Sequence, residues 1–420
     1  MMTEEHSIDE ETFPLISVVI PTRNRAKTLR YCLETITSQS YPNMQIVVSD
    51  NNSSDNTSDV ALSFNDARIT YVRSDLPLTM NDSYNFALDA ARGEYVTFIG
   101  DDDGFLPEAI AFGMNLLLDK KYSAITWRKM DYHWPDHRIA GMSNIMHGQS
   151  EPLLVAVDGK RKLKLFSAFR EGYNNLPCIY NSIVQMRLIK KVKENSPDGL
   201  FFGGIIPDVH SGIALSLFVG AYLQAWFPLS VNGASSMSSG VLQGMTTRTT
   251  EEEGLIKDIS SVKLKDGYHP DIGLSTSVVS IAYGEYLLAQ SRLQFVKWPK
   301  PRWRRYVKEL IREAGHSSNQ EAILTSARHT AKRRGMWIYI PKPQHTFPLL
   351  GSDNNYFVGR IILPVELVEN VSQASKLLAS LLPNKIKVER RAMSYFIRKW
   401  LRFSFRIAID FYRTMLSRGR

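Results

Sequence analysis

The sequence predicts an α/β fold, a mostly parallel sheet with helices on both faces, followed by a mainly helical C-terminal region. Three observations carry this. Short, β-branched apolar runs alternate with helix-patterned segments, with a period of about 25 residues. The runs read as strands buried on both faces, as in parallel sheets. Past residue 250 the alternation gives way to longer helical patterns.

The elements follow in order. "PLISVVI" (14–20) is a buried strand, and "NRAKTLRYCLETITSQ" (24–39) a helix with Leu29, Cys32, Leu33 and Ile36 on one face. "QIVVSD" (45–50) is the second strand; "SSDNTSDVALSF" opens with capping residues and turns helical. "ARITYV" (67–72) is the third strand, and "NDSYNFALDAARG" (81–93) a helix stopping at Gly93. "EYVTFI" (94–99) is the fourth strand, and "PEAIAFGMNLLLDKK" (107–121) another helix. In such sheets ligands bind beyond the carboxyl ends of the strands. Those ends are "PTRN" (21–24), "DNNSSDNT" (50–57) and "GDDDG" (100–104), all polar, and they are expected along one edge.

Three adjacent carboxylates, Asp101, Asp102 and Asp103, repel one another unless something positive sits among them. Oxygen ligands of this kind suit Mn2+ or Mg2+. The alternative is a solvated turn.

Composition excludes other classes. The chain has 420 residues, enough for two domains or one large domain with appendages. Two cysteines, Cys32 and Cys178, rule out a disulfide scaffold and a cysteine-based zinc site. The acidic start, "MMTEEHSIDEETFP", has no apolar core and is not a secretory signal, so a cytoplasmic location is expected. The net charge of +9 is carried by the last 36 residues, with eleven Lys or Arg against Glu389 and Asp410.

"PLISVVIPTRNRAKTLRYCLETITSQSYPNMQIVVSDNNSSDNTSDV" and "NFALDAARGEYVTFIGDDDG" resemble glycosyltransferase family 2, over residues 13–130. The resemblance implies the GT-A fold, an inverting transfer from a nucleotide-diphosphate sugar, and a divalent metal. It implies that Pro21, Thr22, Arg23 and Asn24 contact the nucleotide, that Asp50 and Asn51 stand where an acidic pair recognises base and ribose, and that Asn85 lies near the sugar-nucleotide. Asn51 replaces the usual second acid, and Tyr84 stands where an Arg is frequent. Asp101, Asp102 and Asp103 match the metal-binding motif, Asp101 and Asp102 also lying beside the donor. Arg23 and Arg25 alternatively read as solvated charges, and Ser53, Ser54 and Asp55 as caps of the next helix.

The family's catalytic base is an Asp or Glu opening a helix after the metal motif. "GGIIPDVHSGIALSLF" (203–218) supplies Asp208, the one acid between Gly199 and Thr250. It reads as general base or as N-terminal cap. His210 reads as a metal ligand, an acceptor contact or a structural residue. Gly212–Val231 is uncharged, but its Ser, Gln and Pro favour a buried helix and strand over a membrane span. "NGASSMSSG" (232–240) reads as a flexible loop.

The expected organisation is an acidic disordered N-terminus (1–12), the transferase domain (13–250), an accessory region (251–384) and a basic amphipathic helix (385–420). Within the helix, Phe396, Trp400, Phe403, Ile407 and Phe411 recur at helical spacing between arginines, which suits an anionic membrane surface. "KWPKPRWRRYVKELIREAGH" (297–316) is basic and aromatic but matches no nucleic-acid module, so no nucleic acid is expected. The expected partners are a nucleotide-diphosphate sugar and a saccharide or lipid-linked acceptor, at the inner face of the cell membrane. The rivals are a nucleotidyltransferase, against which the glycine-free "PTRNRAKT" counts, and a non-catalytic scaffold.

Overall fold

A computed structural model describes residues 13–138, 142–204, 206–238, 269–273, 277–294, 296–315, 317, 319–341, 361–362, 368–382 and 387–388. The acidic N-terminus, "EEEGLIKDI" and the aromatic tail from Phe396 lie outside them.

The first half runs β1 (Ile16–Thr22), α1 (Ala26–Thr37), β2 (Met44–Asp50), α2 (Thr57–Ser63), β3 (Ile69–Arg73), α3 (Met80–Asp89), β4 (Tyr95–Phe98), β5 (Gly104–Phe105) and α4 (Ala109–Asn115). Then come β6 (Ala124–Trp127), β7 (Met130–His133), β8 (Ile145–Gly148), β9 (Leu153–Asp158), α5 (Gly159–Ser167), β10 (Ser182–Gln185), α6 (Met186–Asn195), α7 (Pro207–Phe218), β11 (Ala221–Ala225) and β12 (Ser230–Ala234). The C-terminal part holds α8 (Val278–Arg292), α9 (Trp303–Ala314), α10 (Gln320–Arg333), β13 (Ile361–Ile362), α11 (Val371–Leu381) and β14 (Lys387–Val388).

Nine strands form one sheet in the order β14-β9-β11-β6-β10-β4-β1-β2-β3. The β4-β1-β2-β3 half is parallel, as expected, while β10 runs antiparallel between β4 and β6. A second sheet, β13-β8-β7-β12-β5, was not read from the sequence. Its strand β5 has two residues, too short for any periodic signal.

Side-chain alternation builds two cores. Ile16, Val18 and Ile20 of β1 enter one apolar cluster and Val19 the other; Ile46 and Val48 of β2 divide from Val47 in the same way. Helices α1 and α11 cover the first cluster, and α7, α8, α9 and α10 contribute to the second. The uncharged stretch resolves into α7 and β11, the predicted buried helix and strand. Among the described residues, no helix is long and apolar enough to cross a membrane.

Two expectations for loops and tail change. Asn232–Ala234, read as flexible loop, belong to β12, which pairs with β7 and β5. Lys387 and Val388, placed in the tail helix, form a short strand beside β9.

Candidate active site

Strands β1, β2 and β3 end in register, with Thr22 opposite Asp50 and Asp50 opposite Arg73. The loops after β1, β2 and β4 therefore meet at one edge, over a cleft of about 1010 Å³. Pro21, Thr22, Arg23, Asn51, Asp101, Asp102, Asp103 and Asp208 all line it.

The acidic loop is held by many donors. The Thr22 hydroxyl donates to Asp101 Oδ2 at 2.7 Å. The Ser235 hydroxyl donates to Asp102 Oδ2 at 2.8 Å, and Ser238 donates to the same oxygen. Asp103 accepts from the backbone N–H of Gly233 at 2.7 Å and of Gly100 at 3.1 Å. Gly233 is required here, because a Cβ would lie 1.8 Å from the Asp102 carbonyl oxygen.

Arg25, one candidate for a solvated charge, is the counter-ion of this cluster. Its Nη1 lies 3.1 Å from Asp101 Oδ1 and 3.4 Å from Asp102 Oδ2, and its Nη2 donates to the Met237 carbonyl. The Arg25 side chain is 15% exposed, so solvent screens these pairs little. Even so, burial pushes the Asp101 carboxyl up to about 6, against the pull of Arg25. Burial and the neighbouring Asp102 push Asp103 up to about 7. The triple Asp is thus not a solvated turn: all three residues are buried.

These shifts set a pH dependence. Both carboxyls bind a proton more tightly in the folded chain than at their ordinary value of 3.8. The stability they contribute is full below about pH 4 and is lost as pH rises through 6 and 7. Urea midpoints should fall between pH 5 and pH 8. Millimolar manganese should restore part of the loss at pH 8 and little at pH 5, because a cation competes with the proton for the same oxygens.

Asn24, Asp50 and Asp55 stand behind the cleft wall, and Asn51 at its edge. Asn24, in the left-handed region at φ 54°, accepts from Ser54 N–H at 2.7 Å, and its own N–H donates to Ser53 Oγ. It joins the first loop to the second. Asp50 is fully buried; it accepts from Ser53 N–H at 2.8 Å and from the Tyr71 hydroxyl at 2.6 Å. Asn51 accepts from Leu78 N–H and donates to Leu78 C=O, imitating a strand partner at the cleft edge. Asp55 accepts from Ala26 N–H, capping α1 from a distant loop.

Asn85 clamps the loop before α7. Its amide donates to Phe202 C=O at 2.8 Å and accepts from Phe202 N–H at 3.1 Å. Asn85→Ala leaves both buried groups unpaired and should cost about 2–4 kcal/mol in urea unfolding. Asn85→Asp keeps the bond from Phe202 N–H but sets a buried carboxylate against the carbonyl oxygens of Phe202 and Asn81, so it should cost at least as much.

That loop delivers Asp208. The N-cap of α7 is Ile206, with no side-chain cap, and Pro207 opens the helix. Asp208 lies in the first turn, half-buried and facing the cleft, so its carboxylate is not the cap. His210 points elsewhere, with Nδ1 3.3 Å from Oε2 of the fully buried Glu285 on α8. It does not line the cleft. Glu285 Oε1 accepts from Ile206 N–H at 2.7 Å. A Cβ on Gly204 would lie 1.9 Å from Glu285 Oε2, so only glycine allows this approach. The C-terminal region thus props the turn that presents Asp208.

Among the described residues no three His, Cys, Asp or Glu converge on a common metal position. The cleft nevertheless offers hard oxygen donors, of which two are driven toward their protonated form by burial. This donor set fits a divalent cation. Cys32 and Cys178 are buried, and burial raises both thiols well above their ordinary value, which removes them as nucleophiles.

The family model described as Glycosyl transferase family 2 matches residues 17–181, which include the three strand-end loops and the acidic triplet. Residues 17–181 are thus similar to a glycosyltransferase family 2 domain. The α/β architecture agrees with the fold that this similarity implies. The chain is 40% identical over 101 residues to a GalNAc(5)-diNAcBac-PP-undecaprenol beta-1,3-glucosyltransferase of Campylobacter jejuni, covering 23% of this chain and 33% of that protein. It is 28% identical over 109 residues to a UDP-Glc:alpha-D-GlcNAc-diphosphoundecaprenol beta-1,3-glucosyltransferase of Escherichia coli, covering 26% of this chain and 43% of that one. The chain thus spans a third to two fifths of the length of these relatives. Among solved structures, TarS of S. aureus aligns at a TM-score of 0.43 with 14% identity, over 75% of this chain and 54% of that one.

Proposed function

We propose that this chain transfers a sugar, with inversion, from a nucleotide-diphosphate donor to a saccharide or lipid-linked acceptor in surface polysaccharide assembly. The observation that carries it is the cleft itself, in which the family's acidic triplet and Asp208 face the same space. The two relatives named for undecaprenol-linked sugars support a lipid-linked acceptor.

The roles follow from position. Pro21, Thr22, Arg23 and Asn51 border the nucleotide end of the cleft. Asp101 and Asp102 would hold Mn2+ or Mg2+, which would supply positive charge to the departing diphosphate. Asp208 takes the proton of the acceptor hydroxyl, from the first turn of α7. That hydroxyl attacks the anomeric carbon as the bond to the diphosphate breaks. Asp50, Asn24 and Asn85 shape the site from behind, and His210 serves through Glu285. The protein works at the inner face of the membrane, held there by the basic tail (385–420).

The test is a panel of nucleotide sugars with and without manganese, using Asp102→Ala as control. Metal-dependent release of nucleoside diphosphate from one donor, lost in the variant, is expected. No binding of any donor, with or without metal and vesicles, would favour the scaffold.

A further inference from the structure

The segment 336–341, which follows α10, is extended and two-sided. Met336, Ile338 and Ile340 pack against the second core, so the alternate side chains face outward. These are Trp337 and Tyr339, 96% and 86% exposed, the most exposed large apolar side chains among the described residues. Exposed aromatics next to one another and pinned from behind are a costly surface unless something covers them.

The surroundings are strongly basic. Residues 297–341 contain eleven Lys or Arg against Glu309, Glu313 and Glu321. The Arg334 guanidinium stacks 4.0 Å over the Trp303 ring, which joins the end of α10 to the start of α9. Lys300, Arg302, Arg304 and Lys332, on the two stretches that this contact joins, are exposed. Asp271 neutralises part of this charge through Arg333 and Arg334.

We infer that α9, α10 and the Trp337–Tyr339 segment form a docking surface for an anionic lipid bilayer. The charge selects the occupant. The chain's own tail is basic, and a second copy brings the same positive patch, so neither complements it. Aromatic rings with polar edges, flanked by Lys and Arg, suit the headgroup boundary of a membrane. The same helical unit also reaches the cleft, through Val278, Ile281 and Ala282 of α8. The inference extends the lipid-linked reading of the acceptor, but its test reads binding alone and survives failure of that reading.

The test uses the full chain with Trp337→Cys carrying a nitrobenzoxadiazole fluorophore; native Cys32 and Cys178 are buried. Vesicles of phosphatidylglycerol with phosphatidylethanolamine should shift its emission to the blue, and brominated acyl chains should quench it. Phosphatidylcholine vesicles should do neither. This reports on position 337 itself, whatever the tail contributes. Trp337→Ala with Tyr339→Ala should weaken partitioning about tenfold. An unshifted probe on a chain that still sediments with anionic vesicles would overturn the inference and leave docking to other segments. A shift with single-stranded oligonucleotide in place of vesicles would overturn it in favour of nucleic acid.

Discussion

Asp208→Asn should lower sugar transfer by about 10²–10⁴-fold, the usual worth of a positioned general base. The amide keeps the shape of the side chain but cannot take a proton at neutral pH. Donor binding should stay within about twofold, since the diphosphate is proposed to bind at the loops after β1, β2 and β4. A capping role makes the opposite forecast, because loss of a cap costs about 1 kcal/mol of stability with little effect on turnover. Ile206 already holds the cap position, so stability should fall only by the helix-dipole term, about 0.3–1 kcal/mol. Single-turnover kinetics with urea unfolding on the same variant separate the two. Glu285→Gln should mimic Asp208→Asn more weakly. It keeps an acceptor for Ile206 N–H and loses the charge facing His210.

How far the sequence could be read depended on where each partner sat. Strands β1, β2 and β4 were legible because both their faces are buried, which needs an unbroken apolar run. Helix ends were not. The helix expected to reach Gly93 stops at Asp89, because Arg92 N–H and Gly93 N–H donate to Ser17 Oγ, more than seventy residues away. The helix expected from Pro107 to Lys121 spans Ala109–Asn115, after Glu108 in a left-handed turn. The acidic triplet announced itself by charge, and the family pattern drew Asp208 into the same site. Arg25 did not, since nothing local tells an ion-paired arginine from a solvated one. Ser235 and Ser238 read as a flexible run by composition, yet their hydroxyls bond to Asp102.

Those bonds make Asp102→Ala the second large effect expected. One oxygen, Asp102 Oδ2, accepts from Ser235 and Ser238 and lies 3.4 Å from Arg25. Removing it unties the 235–238 turn from the acidic loop and leaves Arg25 paired with Asp101 alone. Nucleotide-sugar turnover should fall to background, and manganese should no longer raise the thermal midpoint, because one of two proposed metal-holding carboxylates is gone. Stability should drop by about 1–3 kcal/mol, below the cost of stranding a buried charge outright, since Asp101 still neutralises the guanidinium. Asp102→Asn discriminates further. Its amide oxygen can still accept from Ser235 and Ser238, so stability and the turn should largely return while metal response and turnover stay lost. If Asp102→Asn retained turnover, the carboxylate would be a hinge for the loop and not a holder of metal. The charge requirement would then fall on Asp101 and Asp103, and the same pair of substitutions at those positions would locate it.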